Sequence, residues 1–141
     1  MAVTVFDADV LIGVLNRDDV HHVAAVERLR AAADGPGRLL VSAVTFAEVL
    51  VGPRRAGRER IVEEMADALR MEVVAVDRRL AGRAAAVRAT TALRTPDAFV
   101  VATTLAAAAA DPGPVRLETF DRRLAAAYDH LSRSAHRGGG S

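Results

Sequence analysis

Four short runs of β-branched or large aliphatic residues, each closing on a polar residue, punctuate the chain at Val3 to Phe6, Leu39 to Val41, Glu72 to Val76 and Val115 to Glu118. Runs this short and this apolar predict strands. The stretches between them carry helical spacing. A short apolar helix is expected from Asp9 to about Leu15. A longer one, capped by Asp18-Asp19, carries Val23, Val26 and Leu29 toward Asp34, and Gly35-Pro36-Gly37 ends it. Ser42 is placed to cap a helix holding Val44, Phe46, Val49 and Leu50, apolar nearly all round, that stops at Gly52-Pro53. Ile61, Val62, Met65 and Leu69 form the stripe of a charged surface helix between Arg54 and Arg70. Asp77 predicts a cap for a helix through Leu93, Thr95 with Pro96 the start of one reaching Ala110, and Asp121 the cap of a last helix through Tyr128.

Strands that alternate with helices and are apolar on both faces predict an α/β domain with a short, mostly parallel sheet covered on two sides. In such sheets ligands and reactive groups gather beyond the carboxyl ends of the strands. The 141 residues suit one domain, expected over 1–133, with 134–141 expected as a disordered glycine-rich tail. The sequence opens directly into a strand, and no apolar run approaches the length of a membrane span, so a cytoplasmic protein without membrane contact is expected.

Composition removes several chemistries. With no Cys there is no disulfide, thiolate zinc site or Cys nucleophile. All 19 basic residues are Arg, balanced against 18 acids for a net charge of +1, so no lysine-dependent reaction is available. The whole-molecule field is too weak to draw in a polyanion, and nucleic-acid binding would rest on local arginines or metal ions.

The remaining chemistry lies in carboxylates at predicted strand ends. Asp7 follows the first strand, Glu48 lies two turns into the helix after the second, Asp97 is in the first turn of the Pro96 helix, and Asp121 follows the fourth strand. Asp97 and Asp121 also suit ordinary capping. Glu48 stands among Val44, Phe46, Ala47, Val49, Leu50 and Val51, where burial without a cation is costly and exposure to water is the alternative. Crowded carboxylates repel, and a hard divalent ion such as Mg²⁺ or Mn²⁺ is the natural remedy in a chain without Lys or Cys.

Val5-Phe6-Asp7-Ala8-Asp9-Val10-Leu11-Ile12 resembles the opening of PIN-domain nucleases, and Ser42-Ala43-Val44-Thr45-Phe46-Ala47-Glu48-Val49-Leu50-Val51-Gly52 resembles their second motif. Pro96-Asp97-Ala98-Phe99-Val100-Val101-Ala102-Thr103-Thr104 and Thr119-Phe120-Asp121-Arg122-Arg123-Leu124 resemble the third and fourth. The resemblance covers about residues 3 to 124 and is strongest to VapC-type toxins of toxin-antitoxin pairs. It implies a PIN-like three-layer domain with four to five strands. It further implies an endoribonuclease whose Asp7, Glu48, Asp97 and Asp121 hold one or two Mg²⁺ or Mn²⁺ ions, with Thr119 orienting Asp121. A VapB-like antitoxin and a homodimer are the implied partners, beside the RNA substrate. Position 9 departs from the family pattern by carrying an acid, for which capping is expected, and no clear fifth strand follows Tyr128.

Two other classes compete. Asp7-x-Asp9 after a strand resembles the nucleophile loop of haloacid-dehalogenase-like phosphatases, against which the missing Lys counts. A catalytically silent PIN-like binding module is the other, against which four intact acids count. His21 and His22 lack ligand spacing and are expected to face solvent or a partner, and the cluster Arg54, Arg55, Arg58, Arg60 is expected to be a solvated face or a phosphate grip.

Overall fold

A computed structural model describes residues 1–139. Its elements are β1 (Val3–Phe6), α1 (Ala8–Leu15), α2 (His22–Ala33), β2 (Arg38–Ser42), α3 (Ala43–Arg55), α4 (Glu59–Ala68), β3 (Glu72–Val74), α5 (Arg78–Thr90), α6 (Thr95–Ala110), β4 (Val115–Glu118) and α7 (Arg122–Gly138). The strands form one parallel sheet in the order β3-β2-β1-β4, and each strand aligns with its neighbour at the same end. The chain therefore builds outward from β1 in one direction, then crosses over to place β4 on its other side. That reversal puts a crevice at the carboxyl ends of β1 and β4.

The period-2 alternation of the strands separates two cores. Phe6, Leu39 and Val41 point to one face with Val10, Leu11, Ala25, Val49 and Val62 of α1 to α4. Val3, Val5 and Leu40 point to the other, against Ala107 of α6. Behind them Leu80, Val87, Val101 and Leu124 knit α5, α6 and α7. Both faces of the central strands β1 and β2 are thus dry, while the edge strands β3 and β4 stay partly exposed. Arg38 of β2 makes a two-pronged ion pair with Glu72 of β3, both bonds at 2.8 Å, bracing the exposed edge.

Several boundaries differ from expectation for local reasons. The α2 helix starts at His22 rather than after Asp18-Asp19, because Asp19 Oδ1 is occupied in a turn with the His21 N–H. The α3 helix runs through Gly52-Pro53 to Arg55, and its end is set four residues later. There Gly57 takes φ +69°, and the N–H groups of Gly57 and Arg58 return to the carbonyls of Arg54 and Pro53. Residues Arg54 and Arg55 consequently close α3, and α4 begins only at Glu59. Arg94, not Thr95, holds the cap position of α6, with Pro96 in the first turn. Residues 129–138, polar and expected to lie beyond the last helix, continue α7, including the part of the predicted tail up to Gly138. Gly140 and Ser141 of that tail lie outside the described residues. The sheet keeps four strands among the described residues because the chain after β4 is committed to this helix.

The Ile61, Val62, Met65, Leu69 stripe proves to belong to the internal core: Val62 is fully buried and Met65 and Leu69 pack beside it, leaving Ile61 at the surface. The α3 helix is also less uniformly buried than its composition suggested. Thr45 and Val49 face inward, while Ala47, Glu48 and Val51 are exposed.

Candidate active site

The reversal crevice collects the acids. Asp7 is the residue after β1, and because α1 starts at Ala8, Asp7 is also its cap: Oδ1 accepts from the Ala8 N–H at 2.7 Å. Its other oxygen accepts from the Thr119 hydroxyl, just beyond β4, at 2.8 Å. The carboxylate is only 8% exposed, and burial pushes its pKa up to about 6, with the Asp9 and Asp97 charges adding to the rise.

Asp9 departs from its expected part. With the cap position taken by Asp7, Asp9 falls in the first turn of α1 and reaches across the crevice, where Oδ2 accepts from the Phe120 N–H at 2.9 Å. It therefore pins the β4–α7 turn to α1 instead of capping. Its Oδ1 is buried and has no hydrogen-bond partner, and burial raises the carboxyl above the usual range.

Thr119 sits between the chains of acids. Its single proton goes to Asp7 Oδ2, with Asp9 Oδ2 more distant at 3.4 Å, while its oxygen accepts from the Asp121 N–H at 3.0 Å. Its hydroxyl thus orients the Asp7 carboxylate and holds the backbone, not the side chain, of Asp121. Asp121 Oδ1 accepts from the N–H groups of Arg123 and Leu124, so one of its oxygens is committed to capping α7.

Glu48 and Asp97 approach from α3 and α6. Glu48 is exposed and Asp97 half-buried, yet the surrounding protein takes enough water from each carboxylate to raise its pKa, and a second carboxylate raises it further: Asp97 for Glu48, and Asp121 for Asp97. Arg94 and Arg123 temper the effect at Asp97. Asp97 is therefore the electrostatic hub, felt by Asp7 and Glu48 and feeling Asp121. All four sequence-predicted acids, with Asp9, share one field at the carboxyl edge of the sheet.

Among the described residues no three such side chains are drawn tightly enough together to coordinate a single ion as they stand. The chemistry of the donors nevertheless suits a hard divalent cation. They are all carboxylate oxygens, they repel one another, and Asp9 Oδ1 is a buried acceptor left without a donor. The Ala8 N–H and the Thr119 hydroxyl take one acceptor position on each Asp7 oxygen, fixing the carboxylate and leaving a further lone pair on each. Sequence reasoning missed Arg28 of α2, which donates to the Thr119 carbonyl at 2.9 Å and stands over the Phe120 ring. Nothing in its surface-helix spacing distinguishes it from the other arginines.

The PIN domain family model matches residues 4–130, and the chain belongs to that family. Among curated proteins none matches. Solved structures do. A toxin-antitoxin complex from Klebsiella pneumoniae is 25% identical, with a TM-score of 0.67 over 86% of this chain and 90% of that one. VapC20 of Mycobacterium tuberculosis, described as a toxin that cleaves the sarcin-ricin loop, is 21% identical with a TM-score of 0.68 over 88% and 94%. VapBC2 of Rickettsia felis, bound to a DNA fragment from its promoter, is 12% identical with a TM-score of 0.59 over 84% and 99%.

Proposed function

We propose that this protein is a metal-dependent endoribonuclease that hydrolyses RNA phosphodiester bonds and acts as the toxin of a toxin-antitoxin pair. The observation that carries the reading is the placement of Asp7, Glu48 and Asp97 around the reversal of a PIN fold, where loss of water first and nearby carboxylates second raise all three: Asp9 and Asp97 for Asp7, Asp97 for Glu48, and Asp121 for Asp97. Carboxylates held partly out of water near one another favour a neighbouring positive charge. Asp7, Glu48, Asp97 and the uncommitted oxygen of Asp121 would hold one or two Mg²⁺ or Mn²⁺ ions, which supply a water of lowered pKa and charge for the phosphoryl oxygens. Thr119 holds the Asp7 carboxylate in one orientation, and Asp9 fixes the β4–α7 turn so that Thr119 and Asp121 keep their positions.

The Klebsiella toxin-antitoxin complex, 25% identical over 86% of this chain, supports an antitoxin as partner, and the motifs imply one of the VapB kind. The remaining exposed apolar residues of α1, α3 and α4, Ile12, Val51 and Ile61, support a further contact with a second copy. The protein would then act as a homodimer in the cytoplasm on RNA.

The test is cleavage of total RNA by the purified protein. Cleavage should need Mg²⁺ or Mn²⁺, and Asp7→Asn, Glu48→Gln and Asp97→Asn should each lower it by orders of magnitude while the variants remain folded. Full cleavage by Asp7→Asn in chelator would overturn the reading.

A further inference from the structure

Beside the acids lies an aromatic stack that the proposed chemistry does not use. The His21 imidazole lies on the Phe120 ring, centroids 4.3 Å apart and planes 12° from parallel, and the Arg28 guanidinium carbon stands 4.3 Å from the same centroid. Every part of this group is anchored. Phe120 is held through its N–H by Asp9 and lies between Thr119 and Asp121 in the chain. Arg28 is held by the Thr119 carbonyl and by Glu118, and the His21 backbone is held by Asp19. Yet His21 is exposed at the rim of the crevice. Phe120 is half-buried, its ring packed against the core of α1 to α4, and His21 lies exposed against that ring.

Resting on the ribonuclease reading above, we infer that His21 and Phe120, backed by Arg28, form a stacking platform for one unpaired nucleobase of the RNA next to the cleaved phosphate. Sequence-specific or shape-specific contact with single-stranded RNA uses such platforms, because an unstacked base has a flat face and recovers its lost stacking on an aromatic ring or guanidinium plane. The outer face of His21 continues a stack that is already in register, so the base docks without further ordering of the protein. The neighbouring guanidinium, paired with Glu118 at 3.5 Å, stands against the Phe120 ring and holds it in place. His21 is a positioning residue in this assignment: it fixes where the strand lies over Asp7 and Asp97 and takes no part in the bond-breaking step.

The experiment uses a short unstructured oligoribonucleotide pool carrying 2-aminopurine, with binding read by fluorescence quenching in the Asp7→Asn background, which keeps the strand uncut. His21→Ala should weaken binding and quenching by about tenfold or more, and in the active protein should raise KM by a similar factor with kcat much less affected. His21→Phe should restore quenching and KM, since a phenyl ring stacks as an imidazole does. Quenching and KM unchanged in His21→Ala, with its thermal melt also unchanged, would overturn the platform while leaving the nuclease intact. A His21→Phe variant as poor as His21→Ala would overturn stacking as the role of the ring. If the parent protein with Mn²⁺ cuts no RNA at all, the ribonuclease reading fails, and the platform fails with it.

Discussion

Asp7 concentrates the conflict in this molecule, because the fold holds it in place with two hydrogen bonds and at the same time withholds the water that would stabilise its charge. An acid whose pKa is raised by folding binds its proton more readily in the folded state than in the unfolded one. Its cost is therefore fully present above about pH 6 and is relieved as pH falls toward 3.8. By the measure of 1.36 kcal/mol per unit this amounts to about 3 kcal/mol at most. Metal-free Asp7→Asn should accordingly melt several degrees higher than the parent at pH 8, and the gap should close near pH 4; thermal melts in chelator across that range check it. Asp121 poses the opposite question, since its Oδ1 is spent on the α7 cap. Asn caps as well as Asp, so Asp121→Asn should leave the metal-free melting temperature nearly unchanged. It should still raise the Mn²⁺ concentration needed for half-maximal cleavage, and an unchanged requirement would reduce the site to three carboxylates.

The elements are joined by features too local to carry a long-range pattern. Gly13 is buried in α1 where α2 crosses it, and a Cβ at that position would meet the Ala25 Cβ at 2.9 Å. Gly13→Ala improves helix propensity but overpacks the crossing. It should destabilise the protein by about 1–3 kcal/mol in urea unfolding, whereas a stabilised variant would mean that α1 and α2 can separate freely. The reverse holds for Asp77, whose Oδ1 accepts from the Leu80 N–H at 2.8 Å to cap α5. Asp77→Ala removes that bond far from the acids and should lower stability by about 1 kcal/mol with RNA cleavage unaffected at a temperature where the variant is folded.

At the scale of the molecule, the buried central strands form a frame that holds Asp7 and Thr119 at its carboxyl edge. Among the described residues no helix is long and apolar enough to cross a membrane. A ligand that binds the folded acid cluster but not the unfolded chain stabilises by mass action. Mn²⁺ at several times its dissociation constant should raise the melting temperature of the parent, and the rise should shrink in Glu48→Gln; a flat response in the parent would speak for a silent scaffold. The apolar stripe expected on α4 turned inward, so less surface remains for self-association than its spacing implied. Sedimentation at micromolar concentration should nevertheless show a dimer. A monomer that stays monomeric with its antitoxin bound would remove the second copy from the proposal.

Much was legible in the residues themselves. Short apolar strands between amphipathic helices determined a parallel α/β sheet, because such strands must be covered on both faces. Asp7 and Asp121 follow predicted strands, and the resemblance of four motifs to PIN-domain nucleases implied that Glu48 and Asp97 join them at one edge. Local signals also set the caps at Ser42, Asp77 and Asp121, each satisfied by its own neighbours within three residues. Tertiary structure alone decided what passes between segments distant in sequence. Asp9 looked like a cap until the Phe120 N–H, 111 residues away, was brought against it. Thr119 looked like a partner of Asp121, its neighbour, until its proton was found on Asp7, 112 residues away. The His21–Phe120 stack has no trace in either segment alone. Hydrophobic period and capping are short-range properties that a sequence carries openly, whereas the partner of a buried hydroxyl or carboxylate is chosen by whichever group the crossover of β4 beside β1 places within reach.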